Sequence, residues 1–418
     1  MIPINNKITL DINTLDKAVF LLFGLIPLSA ILGNLLLNLT FILLFFIFIT
    51  DIVLNKNYLF LKDITFWILT FFFSTLLVNL YFSMDPSNSL FRVIKILLMI
   101  SFTVQIKKII QKYPLEFEKV IFGFWSIIFS IVIIDVAFEI VFGFNTLGFT
   151  SDYYPVRIAS FFGEELVVGA YFLSFGLYYI SKISHLLKSY KNLLITIILI
   201  IIFISLLIGE RSNFIKFFIG SSILFFFVIN MNLKSFMLVI GIFFLTFLGL
   251  LNFNEQVKYK YKTQFYAADI KGVDNLLKSS LYIAHYDAAF KIFQERPVFG
   301  IGIKNFRLES RKDKYRNDKL LKTNSRGSTH PHQIHFEILS ETGLFGYISF
   351  LIFIIISLFL SIKNYFKYKN IFQLSSIIYI ITFLIPFLPS GSFFSTFTAA
   401  MFWTNYAIMM GYNKFKDF

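Results

Sequence analysis

The stretch THPHQIHFEILSETGLFG, residues 329–346, sets three histidines (His330, His332 and His335) within six residues of a chain that has only five. It runs straight into LFGYISFLIFIIISLFLSI, residues 344–362, which is long and apolar enough to cross a bilayer. The fold this implies is a membrane fold, with titratable chemistry gathered at one mouth of it.

Composition agrees. The 418 residues are 57% hydrophobic and 20% aromatic, with 58 Phe and a mean hydropathy of +0.74. Only 15% are charged, well below a soluble globular chain. There is no cysteine, which excludes disulfides, thiolate metal sites and cysteine nucleophiles. Apolar runs fall near 17–33, 35–54, 64–82, 88–106, 119–143, 162–181, 190–208, 212–230, 235–253, 334–361, 372–390 and 392–411. The expected fold is therefore an all-α polytopic membrane protein of about 12 transmembrane helices. Its parts are helices 1–9 in residues 1–253, one large loop in 254–333, and helices 10–12 in 334–418. The polar start, MIPINNKITLDINTLDK, lacks the basic region and cleavage site of a signal peptide, so the first run is expected to stay as a span.

Lysine sets the orientation. With the N-terminus inside, the short inner loops carry Lys56 and Lys62; Lys107, Lys108 and Lys112; Lys182, Lys188 and Lys191; Lys234; Lys363, Lys367 and Lys369; and the tail carries Lys414 and Lys416. The long segment 254–333 then lies outside, with 16 Lys+Arg against 8 Asp+Glu. The net charge of +14 is thus largely topology plus a basic outer segment, which suits anionic lipid or an anionic substrate and not nucleic acid. Within that segment, 276–296 has helical periodicity ended by Pro297. Gly300 and Gly302 mark a tight turn, and the charged 307–328 reads as a mobile loop.

The outer connections are nearly free of basic residues, so the exceptions matter. Arg211 sits in LLIGERSNFIKFF, between two spans with almost no loop, where a charge is costly. It is either functional or the ion-pair partner of Glu210. Arg157 precedes a span whose helix Glu164 and Glu165 are expected to open. Arg92 and Lys95 lie a turn or two into the fourth span, where they either snorkel to lipid phosphate or bind substrate. His330 reads as a helix N-cap and Pro331 as the first helical residue. That puts His332 in the first turn, kept neutral by the helix dipole as a general base must be, with His335 on the same face. HxHxxH also offers two or three metal ligands, and a purely structural role stays open.

The stretch from His332 resembles the pattern H-[NSQ]-x9-G-x-x-G of the O-antigen ligase family: His332 and Gln333, nine residues, then Gly343 and Gly346. ERPVFGIGIKNF is similar to that family's P-x-x-G-x-G-x-x-x-F stretch, and GERSNF resembles its arginine between two mid-chain spans. One feature departs. Where many relatives carry an arginine in the outer helix before the P-x-x-G-x-G turn, this chain has Tyr282, so Lys278, Arg307, Arg311 or Arg326 would have to supply that charge.

The resemblance implies a multi-pass protein of the bacterial inner membrane with a periplasmic loop and site. It implies transfer of a preassembled glycan from undecaprenyl diphosphate to an acceptor sugar hydroxyl, either of lipid A core (a ligase of lipopolysaccharide biosynthesis) or of another glycan (a polymerase). On it, His332 is the general base and Arg211 the diphosphate clamp. Arg157, His330, His335, Arg307, Arg311, Arg326 and Arg92 are substrate-binding candidates. No metal and no cofactor is expected, because the diphosphate leaving group is already activated. A transporter of lipid-linked or anionic substrate is the alternative of another class. It is disfavoured because no internal repeat is seen and the polar residues sit at one face.

Overall fold

In a bilayer the backbone must satisfy its own hydrogen bonds, so apolar runs of this length fold as helices. The computed structural model describes residues 13–229, 233–253, 255–258 and 278–413, and no strand occurs among them. The polar start, the tail lysines Lys414 and Lys416, and residues 259–277 of the outer segment lie outside the described residues.

Each apolar run contains a helix. The first is a bent pair, α1 (Thr14–Gly24) and α2 (Ile26–Leu32), broken where Pro27 follows within α2. Then come α3 (Asn34–Asn55), α4 (Ile64–Tyr81), α5 (Pro86–Lys112), α6 (Pro114–Phe142), α7 (Val168–Leu186), α8 (Lys191–Leu207), α9 (Arg211–Ile229) and α10 (Leu233–Phe253). After α11 (Leu281–Glu295) follow α12 (Ile334–Tyr368), α13 (Ile371–Phe383) and α14 (Thr396–Gly411). Six of these are long and apolar enough to span a membrane on their own, or seven with the bent pair counted as one. The chain is a multi-pass helical membrane protein. The centre is α14, buried from Ala399 to Gly411 and packed against α5 and α13.

Some helix boundaries differ from expectation. α7 begins at Val168, so Glu164 and Glu165 sit in a 3-10 turn before it and do not open the helix. α13 stops at Phe383 instead of running to 390, because Pro386 and Pro389 withhold backbone donors and Pro386 restrains the residue before it. The non-helical segment 384–395 that results joins α13 to α14.

The described part of the 254–333 segment has a small core of its own: Ala288, Ala289 and Ile292 of α11 against Ile301, Phe306 and Tyr315. The charged stretch 307–328, expected to be mobile, is folded into turns. Lys314 pairs with Glu295 and Glu309, Lys312 with Glu309, and the buried Arg326 with Asp313 and two carbonyls.

The two glycine-bearing motifs lock together. α12 breaks at Gly343 (φ 65°, ψ −170°), a conformation open only to glycine. Into the break fits the turn 297–302: Leu344 and Phe345 donate to the Pro297 and Val298 carbonyls at 2.8 and 3.0 Å, and Ile301 and Gly302 donate to Ser340 and Glu341 at 3.2 and 2.8 Å. Asn79 of α4 caps the joint, donating to Phe299 O and Glu341 O. A Cβ on residue 343 would lie 2.6 Å from the Gly300 nitrogen and closer still to the Val298 carbonyl. This joint fixes α11 and the turns after it, and the histidine stretch before α12, to the bundle.

Candidate active site

The turn before α9 is shaped by Gly209. Its φ of 89° and its approach to Val156, where a Cβ would stand 3.3 Å from the carbonyl carbon, leave no room for a side chain. Ile158 N donates to Ile208 O at 3.0 Å, so the two backbones run side by side. Arg157 is thereby brought next to Glu210 and Arg211. Glu210 is buried and accepts from Gly169 N at 2.8 Å and Asn213 Nδ2 at 2.7 Å, which joins α7 to the start of α9.

Facing this edge is the histidine stretch, and here the expected helix start is corrected. α12 begins at Ile334, and its N-cap is Gln333, whose side chain accepts from Phe336 N at 3.0 Å. His330 and Pro331 do not open the helix, and His332 lies before it in the left-handed region (φ 59°). Gln333 wins because its carbonyl oxygen reaches the N3 amide in the manner of a cap. His332 is held by Ser390 N, which donates to its carbonyl at 2.8 Å, and its Nε2 is 3.0 Å from Ser328 Oγ. Its ring lies 4.1 Å from that of His330 and is stacked at 5.1 Å on His285. His285 in turn donates from Nε2 to Ser325 O. Burial, reinforced by His330 and His285, pushes the His332 imidazole down to about 3; burial and then Lys304 do the same to His330. Neutrality at pH 7 is thus as expected, but it comes from desolvation and not from a helix dipole.

A cavity of about 710 Å³ opens between these edges, within the range of small-molecule sites. It gathers Arg157, Arg211, His330 and His332 on one wall system, with Ser280 and Tyr282 from the head of α11. Leu173, Ile215, Tyr379, Phe383, Phe397 and Met401 give it apolar walls as well. Two contributors went unnoticed in the sequence. One is the segment 388–391, which lines the cavity because α13 ends early. The other is Lys216, a buried ammonium on α9. The signal for it was present: a charge inside an apolar run.

The remaining candidates lie elsewhere. His335 faces a separate small cavity, where its Nε2 donates to Leu384 O at 2.9 Å and Nδ1 accepts from Tyr347 at 3.2 Å. It shares no face with His332, since His332 is outside the helix. Arg326 is spent on the fold of the outer segment, and Arg307 and Arg311 are exposed there. Arg92 donates to Phe394 O, and Lys95 to Asn38 and Thr396, which anchors the start of α14. Among the described residues no group of three or more His, Asp or Glu is arranged to hold a metal ion.

A buried carboxylate, Glu337, steadies the segment that bears on the site. It accepts from Phe393 N at 2.7 Å and from Ser392 Oγ, with Lys304 Nζ at 3.7 Å. This holds 390–393 in place and, through Ser390, the backbone of His332.

Comparison with known families now bears on the chain. Residues 194–351 match the family model described as O-Antigen ligase, and the resemblance read in the histidine motif holds over that region. The matched residues run from α8 through α9 and the outer segment into α12, and so include Arg211, Lys216, His330 and His332. No curated protein matches the chain.

Proposed function

We propose that this protein moves a preassembled glycan from undecaprenyl diphosphate to an acceptor sugar hydroxyl at the periplasmic face of the bacterial inner membrane, as an O-antigen ligase with lipid A core as acceptor. The observation that carries this reading is the meeting of two arginines and a neutral, backbone-strained histidine in one cavity that also has apolar walls. A polyprenyl tail needs the apolar walls, a diphosphate needs the guanidinium groups, and a hydroxyl nucleophile needs a base that is unprotonated before the reaction.

In the step itself, the acceptor oxygen attacks the anomeric carbon of the donor sugar. Its proton passes to the His332 imidazole, and the bond from the anomeric carbon to the phosphate oxygen breaks with its electron pair. Arg211, assisted by Arg157, offsets the charge arriving on the diphosphate. His332 Nε2 faces Ser328 Oγ, which fixes the ring plane. The left-handed backbone at His332 fits such a role, since strain of this kind collects at functional sites.

A polymerase, joining one glycan to another, uses the same donor chemistry and differs only in the acceptor. The test is the surface glycan of a deletion strain, complemented by transfer with purified protein and lipid-linked donor. Polymeric glycan left on the carrier supports the ligase; a single repeat unit capped on lipid A core supports the polymerase. Unchanged glycan with a lost uptake phenotype would replace both with a transporter.

A further inference from the structure

Lys216 has no part in the reading above, yet its setting is unusual. It lies on α9, its residue is 1% exposed, and it lines the cavity. Its Nζ donates to the Pro389 carbonyl at 3.0 Å, and the Phe383 ring centre is 5.9 Å away. Among the described residues no ion pair joins it to a carboxylate. An ammonium has three donors, and a single neutral carbonyl neither balances its charge nor uses them all. A buried cation left in that condition is costly, and an intramembrane one marks a functional site by default.

Its depth gives it a ligand. Arg211 begins α9, and Lys216 is five residues on, about 7–8 Å further along the axis into the apolar run of that helix. Ser212, one turn before Lys216, donates to the same Pro389 carbonyl, so this face of α9 and the 388–391 segment form one wall. A lipid diphosphate with its tail down and its sugar up would set its two phosphates along this line.

We propose that Lys216 binds the phosphate nearest the lipid, leaving Arg211 and Arg157 to the phosphate nearest the sugar; this rests on reading the cavity as the lipid diphosphate site. The cavity then recognises any polyprenyl phosphate through Lys216 and adds the diphosphate preference through Arg211. The released carrier, a polyprenyl diphosphate, would be held by the same two points.

The experiment is binding of farnesyl diphosphate and farnesyl monophosphate to full-length protein in detergent. Lys216→Gln keeps an N–H for Pro389 and removes the charge; it should weaken both ligands about 10- to 100-fold, the loss of a charge-assisted hydrogen bond. Lys216→Arg should bind both within several-fold of wild type. Arg211→Ala should weaken the diphosphate and leave the monophosphate nearly unchanged. Lys216→Met serves as a second neutral variant, and thermal melts report folding. If Lys216→Gln binds both ligands like wild type while Arg211→Ala loses the diphosphate, Lys216 is a tether for Pro389 and only this proposal falls. If both neutral variants fail to fold while Lys216→Arg folds, the charge is structural, and it falls again. If wild type binds neither ligand, the diphosphate reading of the cavity falls with it.

Discussion

Replacing Gly343 by alanine probes the joint between the outer segment and the bundle. At φ 65° and ψ −170° any side chain is strained, about 1–3 kcal/mol. The added Cβ would also meet backbone, namely the Gly300 nitrogen at 2.6 Å and the Val298 carbonyl, which cannot swing aside as a side chain can. Opening the joint to relieve that overlap gives up the bonds from Leu344 and Phe345 to Pro297 and Val298. At about 0.5–1.5 kcal/mol each, two such bonds add about 1–3 kcal/mol. The expected loss is about 2–6 kcal/mol, a large share of a typical domain's stability. The assay is thermal unfolding in detergent, followed by loss of the monodisperse peak on size exclusion. Gly123→Ala in α6 is the control: nothing lies within 4 Å of its Cβ, and helix propensity makes the change neutral or stabilising by up to about 1 kcal/mol. A Gly343→Ala protein that melts with wild type and the control would refute the claim that the turn and the break interlock.

Four further outcomes are expected. Because the folded His332 and His330 imidazoles are pushed down to about 3, the free enzyme's base form is full above about pH 5, so kcat/KM for the donor should be flat from about pH 5.5 to 8; a limb centred near 6.5 would count against a buried base. The same shift means the unfolded chain takes up protons that the folded one refuses, so stability should fall as pH drops from about 6.5 toward 3. Glu337→Gln should destabilise by about 3–5 kcal/mol by leaving Lys304 without its carboxylate, and Lys304→Met should restore part of it in the double variant; strictly additive melts would show the pair is not coupled. Transfer by purified protein should persist in EDTA, whereas activity lost to chelator and restored by zinc or manganese would demand a metal mechanism.

The helices were legible because a bilayer leaves the backbone few choices: each apolar run contains a helix, though only six or seven of the described helices are long and apolar enough to span against the twelve expected. Their ends were not, for local reasons. Two prolines ended α13 early, and Gln333 displaced His330 as the cap of α12. Both corrections fall at the cavity, where the chain departs from regular structure to present side chains. Arg157, Arg211, His330 and His332 stood out because each is a charge or a titratable ring beside a span, and one cavity holds them all. His335 looked equivalent by spacing alone; only the path of the backbone shows that it turns to Leu384 and Tyr347. The stretch 307–328 looked mobile because charge density hides partners: Glu309 and Glu295 are not adjacent to Lys314 in sequence along one helix face, but they meet it in space. Lys216 was in view within GERSNFIKFF, and its position five residues beyond Arg211 gained meaning only with Pro389 across from it.

The most direct test of the account is glycan transfer from a lipid-linked donor by purified, folded variants at the base and at the clamp, with donor affinity measured alongside turnover. His332→Ala should keep donor affinity and lower turnover by about two to four orders of magnitude, because the imidazole acts on the acceptor proton. Arg211→Ala should weaken donor binding and slow the step as well, and Arg211→Lys should recover only part, since a point charge lacks the paired contacts of a guanidinium. Near wild-type transfer by His332→Ala, or full activity in Arg211→Ala, would contradict it.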